Sequence, residues 1–149
     1  MTMAAVFRQT RIVAWAECDA AGKVFYPNFY IWFDRATEAL LRAADLSFAA
    51  MRRDFGIVGM PLLETGATYE NVCLHEDALT LESWVDGWAG KPFVVRHRAV
   101  HADGRPALSG FERRVFVVAD TGRPSGIRAI AAPSALRARL TVPGDTAAV

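Results

Sequence analysis

The chain has 149 residues, 52% of them hydrophobic and 22% charged, and a formal net charge of +1. That is enough apolar material to bury one core without staples, and it excludes general disorder. The near-neutral charge, with no basic run interleaved with aromatics, excludes the usual footprint of a nucleic-acid partner.

Two cysteines, Cys18 and Cys73, make no disulfide framework. The start "MTMAAVFRQT" has neither the basic residues nor the apolar run of a secretory leader. No apolar stretch reaches the ~20 residues of a membrane span. A cytoplasmic protein without membrane contact is therefore expected.

Residues 6–16, "VFRQTRIVAWA", carry β-branched and aromatic residues at strand density. Pro27 suits the first position of a helix, where a missing N–H costs nothing. From there "NFYIWFDRATEALLRAADL" has helical spacing, with Phe29, Trp32, Phe33, Ala36, Leu40 and Ala43 on one stripe. Glu38 and Arg42 form a favourable i,i+4 pair. The first turn is apolar nearly all round, more than one sheet face can cover, so a second surface must pack there.

A short helix is expected over 47–54, and "FGIVGMP" at 55–61 reads as a turn. Residues 62–73, 78–88, 92–102 and 107–118 are strand-like, with connections short enough for antiparallel hairpins. A short strand at 127–130, a short helix over 133–139 and a flexible tail at 141–149 follow. The order predicts a single α+β domain over 1–149, its twisted antiparallel sheet wrapped around one buried helix.

The chemistry concentrates in "ECDAAGKVFYPN". Glu17 and Asp19 can divide acid and base roles, or one can act as nucleophile. Equally, they can be turn formers or complement the dipole of the next helix. Gly22 permits an unusual backbone angle and close ligand approach. A helix beginning at Pro27 leaves the amides of Val24 to Tyr26 as free donors, a ready place for developing negative charge. Cys18 has no base near it in the chain and reads as inert. His75, His97 and His101 lack metal-ligand spacing, so no metal is expected. No P-loop or dinucleotide fingerprint is present.

The stretch "AECDAAGKVFYPNFYIWFDRATE" resembles the entry motif of the hotdog-fold thioesterases, in the 4-hydroxybenzoyl-CoA thioesterase branch. That pattern runs Asp-x-Asp-x-x-Gly-x-Val-x-Tyr-Pro-x-Tyr into a long helix. The matching residues are Glu17, Asp19, Gly22, Val24, Tyr26, Pro27 and Phe29. The likeness continues through "FGIVGMP" and "FVVRH" and spans roughly residues 10–130.

The resemblance implies a hotdog fold and a homodimer, often a dimer of dimers, with active sites at the interface. It implies Asp19 as nucleophile or general base on a thioester carbonyl, and the Tyr26 backbone N–H polarising the carbonyl oxygen. The expected substrate is a small aromatic or short-chain acyl-CoA, with no cofactor and no metal. Gly22 and Phe25 would line the site, with Met60 and Leu62 contributed by the neighbouring chain. Lys91 would meet the nucleotide.

Two departures stand out. Glu17 replaces the usual first aspartate. The hairpin "WAGKP" keeps only Lys91 where the relatives carry more cations for the CoA phosphates, so an acyl-carrier-protein thioester stays open. Arg52, Arg53, Arg96, Arg98 and Arg128 are candidates to compensate. The rival readings are a hotdog hydratase or dehydratase, which normally needs a carboxylate–histidine pair absent from the motif, and a non-catalytic small-ligand domain.

Overall fold

The computed structural model of the chain describes residues 2–143. In chain order it forms β1 (Thr2–Ala4), β2 (Phe7–Ile12), α1 (Pro27–Ala43), α2 (Phe48–Phe55), β3 (Ile57–Gly59) and β4 (Leu62–Tyr69). Then come β5 (Ala78–Trp88), β6 (Pro92–His101), β7 (Pro106–Ala119), β8 (Ile127–Ile130), α3 (Ser134–Arg139) and β9 (Thr141–Pro143). The main sheet is antiparallel, in the order β2-β5-β6-β7, and the long β7 also carries β4, β3 and β8.

Period-two patterning decides which face is covered. β5 buries Leu79, Leu81, Ser83 and Val85, and β6 buries Phe93, Val95, His97, Ala99 and His101. The curved sheet wraps α1 on this face, and Phe29, Trp32, Phe33, Ala36 and Leu40 are all buried against it, as their spacing predicts. Each large side chain so covered contributes about 1.5–3 kcal/mol. Contact with β7 is close: a Cβ on Gly110 would fall 2.3 Å from the Phe33 ring, so a glycine is needed on the sheet floor there.

The structure differs from the expectations at several boundaries. Ala43 is exposed, because α1 ends there and the chain turns through Asp45 at φ 58°, while Thr37 and Leu41 join the buried stripe instead. The first strand stops at Ile12 rather than at residue 16, because a 3-10 turn over Trp15–Glu17 takes up the chain. Within "FGIVGMP", Gly56 (φ 67°) caps α2, but Ile57–Gly59 pairs with β7 as a strand. β4 ends at Tyr69, short of residue 73, because the amides of Glu70 and Asn71 both turn to the Ala107 carbonyl. Thr141–Pro143, placed in the expected tail, pairs with Thr2–Ala4; residues 144–149 lie outside the described residues.

Among the described residues, no helix is long and apolar enough to cross a membrane.

Candidate active site

The segment between β2 and α1 folds as two stacked turns. Glu17 Oε2 accepts from the Ala14 amide (2.9 Å) and closes the first. In the second, the Asp19 amide donates to the Lys23 carbonyl (2.8 Å) and Gly22 takes φ 75°, a conformation costly for a side-chain-bearing residue. An isolated bridge between Cys18 and Val24 then feeds the chain into Tyr26, the N-cap of α1, with Pro27 as its first residue.

The two acids of the motif are separated by their partners. Glu17 also accepts from the Trp32 indole (2.8 Å) and pairs with Arg11, whose guanidinium lies 3.8 Å over the Trp32 ring. Desolvation pulls the Glu17 pKa up, but the bonds from Ala14, Trp32 and Arg11 outweigh it and hold the group below its ordinary value. Glu17 is thus a tie between β2 and α1. Asp19 uses Oδ1 for the turn, accepting from the amides of Ala21 (2.8 Å) and Lys23 (3.3 Å). Its Oδ2 has no partner among the described residues. The turn-forming and the reactive readings of Asp19 are therefore compatible, one on each oxygen.

Of the three amides expected to be free, two are not. Val24 donates to the Cys73 carbonyl (3.0 Å) and Phe25 to the Glu17 carbonyl (2.9 Å). The Tyr26 amide alone of the three has no partner among the described residues. Asp19 and Tyr26 line one cleft of about 300 Å³, with Lys23, Val24, Phe29, Tyr69, Glu70, Asn71, Val72 and Cys73 around them.

The other nucleophile candidates here are held in their protonated forms. Burial pushes the Cys73 thiol up to about 11, with Asp77 adding to it. Burial also pushes the Tyr69 phenol up to about 12, with Tyr30 and Tyr26 contributing. Cys18 is raised by desolvation and by the Asp19 and Glu17 carboxylates. A thiol is reactive only as thiolate, so the carboxylates are the nucleophile candidates that remain.

The remaining expected contacts are not gathered here within one protomer. Gly22 shapes the turn without lining the cleft, and Phe25 is exposed, edge-to-face with Tyr26. The Met60 side chain is buried in a core cluster with Leu40, Ile57 and Phe93. Leu62 lines a second cleft of about 350 Å³ with Tyr30, Ile31, Asp34 and Arg114. Lys91 is exposed in the β5–β6 hairpin. Of the compensating cations, Arg53 pairs with Asp54, Arg96 with Asp86, Arg98 with Glu82 and Arg128 with Asp120.

A buried polar network escaped the sequence reading. His97 Nδ1 lies 2.8 Å from Ser83 Oγ, and its Nε2 lies 3.5 Å from Glu112 Oε2. Glu112 also accepts from Thr37 on α1 (2.5 Å) and from Arg114 (2.7 Å), and Arg114 reaches Asp34 and the Met60 carbonyl. The available signal was the strand alternation, which puts Ser83, His97 and Glu112 on the inward face among Leu81, Val95 and Leu108. This supplies the histidine–carboxylate pair that the motif lacks, but His97 is 1% exposed and Glu112 2%, so the pair faces the interior.

Residues 13–140 match the family model of the thioesterase-like superfamily. The chain is similar to the 4-hydroxybenzoyl-CoA thioesterase of Pseudomonas sp. (strain CBS-3), 30% identical over 127 residues that cover 82% of this chain and 88% of that one. A crystal structure of a mutant of 4-hydroxybenzoyl-CoA thioesterase with 4-hydroxybenzoyl-CoA superposes with TM-score 0.80 at 27% identity, covering 91% of this chain and 98% of that one. A gentisyl-coenzyme A thioesterase structure gives TM-score 0.72 at 27% identity, over 88% and 99% of the two chains.

Proposed function

The chain belongs to the thioesterase-like superfamily, and from that premise we propose that it hydrolyses a small aromatic or short-chain acyl-CoA to the free acid and CoA. It has the hotdog fold, and it is a thioester hydrolase acting on acyl-CoA. The observation that supports the finer reading is that Asp19 and Tyr26 line one cleft, while Asp19 Oδ2 and the Tyr26 amide each have no partner among the described residues.

A thioester carbonyl seated there has its oxygen toward the Tyr26 N–H at the start of α1, where the helix dipole favours developing negative charge. Asp19 Oδ2 then either attacks the carbonyl carbon or takes the proton of an attacking water. The thiolate is a good leaving group, so the chain's own carboxylate and amide suffice for the step. Phe29, Tyr26 and Tyr69 give the cleft aromatic walls, which favours a compact flat acyl group. A panel of aromatic and aliphatic acyl-CoA esters, read with a thiol reagent, tests this. Fastest thiol release is expected for aromatic acyl groups; release from none of them, with turnover of a carrier-protein thioester instead, would replace CoA as the substrate's handle.

The same reading takes the protein as a homodimer, in the family's manner often a dimer of dimers. The edge of β4 away from β7 has no strand beside it among the described residues. Leu62, Leu63 and Ile31 stay 45%, 48% and 46% exposed. Of the apolar start of α1, Phe29, Trp32 and Phe33 are covered within the chain and Ile31 is left open, beside Leu62 and Leu63 of β4. A second copy pairing along β4 covers them and brings Leu62 toward the neighbour's cleft. Light scattering at micromolar concentration is expected to give at least twice the chain mass, and a clean monomer would remove the shared interface.

A further inference from the structure

Asp19 is not the only carboxylate in the cleft. Glu70 lines the same space, at the bend where β4 ends. Its backbone is fixed there, because its own amide and that of Asn71 both donate to the Ala107 carbonyl, at 2.9 and 3.1 Å. Its side chain makes no ion pair or hydrogen bond among the described residues, although Lys23 lies on the same cleft. The surrounding walls include Val24, Phe29 and Val72.

We propose that Glu70 is the general base that activates the water releasing the acyl group from Asp19. This rests on the nucleophilic form of the reading above. In the first step Asp19 Oδ2 forms a bond to the acyl carbon, the C–S bond breaks, and the thiolate leaves with the electron pair. The product is a mixed anhydride on Asp19. An acylated Asp19 cannot serve as its own base, so the second step needs another acceptor.

The other polar groups of the cleft do not fill that role. Lys23 is a donor only, the Cys73 thiol stays protonated, and the Asn71 side-chain amide donates through Nδ2 to the Pro106 carbonyl (2.7 Å). Tyrosine phenols are weak bases in their neutral form. Glu70 takes one proton of the water as its oxygen bonds to the acyl carbon. The C–Oδ2 bond then breaks, and its electron pair returns to Asp19. The departing carboxylate is stabilised through Oδ1, already held by the Ala21 and Lys23 amides. Glu70 passes its proton to solvent.

The experiment compares wild type, Glu70→Gln, Glu70→Asp and Asp19→Asn on the best ester of the acyl-CoA panel. It reads steady-state kinetics together with mass spectrometry of rapidly quenched protein. For Glu70→Gln the expected result is a fall in kcat of about 10²-fold, the usual worth of a general base. kcat/KM should hold, a burst of thiol should equal the enzyme concentration, and one acyl group should appear on the peptide bearing Asp19. Glu70→Asp should recover part of kcat. Unchanged kcat in Glu70→Gln, or a lower kcat with no acylated Asp19, would overturn the proposal. Full activity in Asp19→Asn would instead overturn the reading of Asp19, so the two failures are distinguishable.

Discussion

Asp19→Asn is expected to lower thioester cleavage by at least about 10²-fold while leaving the fold intact, the signature of a lost nucleophile or base. The fold should survive because Asn keeps the turn. Its side-chain oxygen can accept from the Ala21 and Lys23 amides as Asp19 Oδ1 does, and the group is exposed rather than part of a core cluster. What Asn lacks is the second carboxylate oxygen, the one with no partner among the described residues. Substrate binding should change little, so the loss should fall in kcat. Circular dichroism and the melting temperature check the fold, and thiol release checks the chemistry. Undiminished turnover would leave Asp19 as a turn residue and favour another catalyst.

The second large effect is on stability. Glu112→Ala strips the buried network of its central acceptor. Arg114 keeps only Asp34 and the Met60 carbonyl, while Thr37 and His97 lose their shared carboxylate. Removing one partner of a buried pair typically costs about 3–5 kcal/mol. At ~2–4 °C per kcal/mol for a chain of this size, the melting temperature should fall on the order of 10 °C. The charge-neutral Glu112→Gln should be milder, since an amide oxygen still accepts from Thr37.

A pH dependence follows from the same residue. Desolvation would raise the Glu112 pKa, but the bonds from His97, Arg114 and Thr37 prevail and bring it down to about 2 from 4.5. A depressed folded-state pKa stabilises fully above the unfolded value. That stability is therefore present above about pH 4.5 and is lost as pH falls toward about 2. The shift corresponds to roughly 3 kcal/mol. Denaturant titrations across this window should show the decline, and it should be much flatter in Glu112→Gln.

The fold was legible where periodicity was strong. The stripe of α1 from Phe29 to Leu40 and the alternation of β5 and β6 each state one buried face, and a helix on a sheet is the way to cover both. Boundaries were less legible because they depend on partners distant in the chain. β4 ends at Tyr69 because Ala107 captures two amides, and Ile57–Gly59 becomes a strand because the end of β7 offers it an edge. Neither Ala107 nor β7 is visible from the local residues.

The site divides in the same way. The motif located the turn and the helix start, but nothing in "ECDAAGKVFYPN" says which acid is engaged. That is decided by Arg11 and Trp32, which claim Glu17 and leave Asp19 to the cleft. Which amide stays free is decided by the Cys73 and Glu17 carbonyls, which take Val24 and Phe25. Glu70 sits more than fifty residues from Asp19 and is brought beside it only by the bend after β4. The Ser83–His97–Glu112 network was hidden for a different reason. Each member looks like a single polar interruption in its own strand, and only the sheet register aligns them.

The most direct test is a crystal structure of Asp19→Asn holding an intact aromatic acyl-CoA. The thioester carbonyl oxygen should lie about 3 Å from the Tyr26 backbone nitrogen, with the carbonyl carbon against the side chain at position 19 of the same protomer. An acyl carbonyl bound away from the start of α1, with the Tyr26 amide facing solvent, would contradict the account.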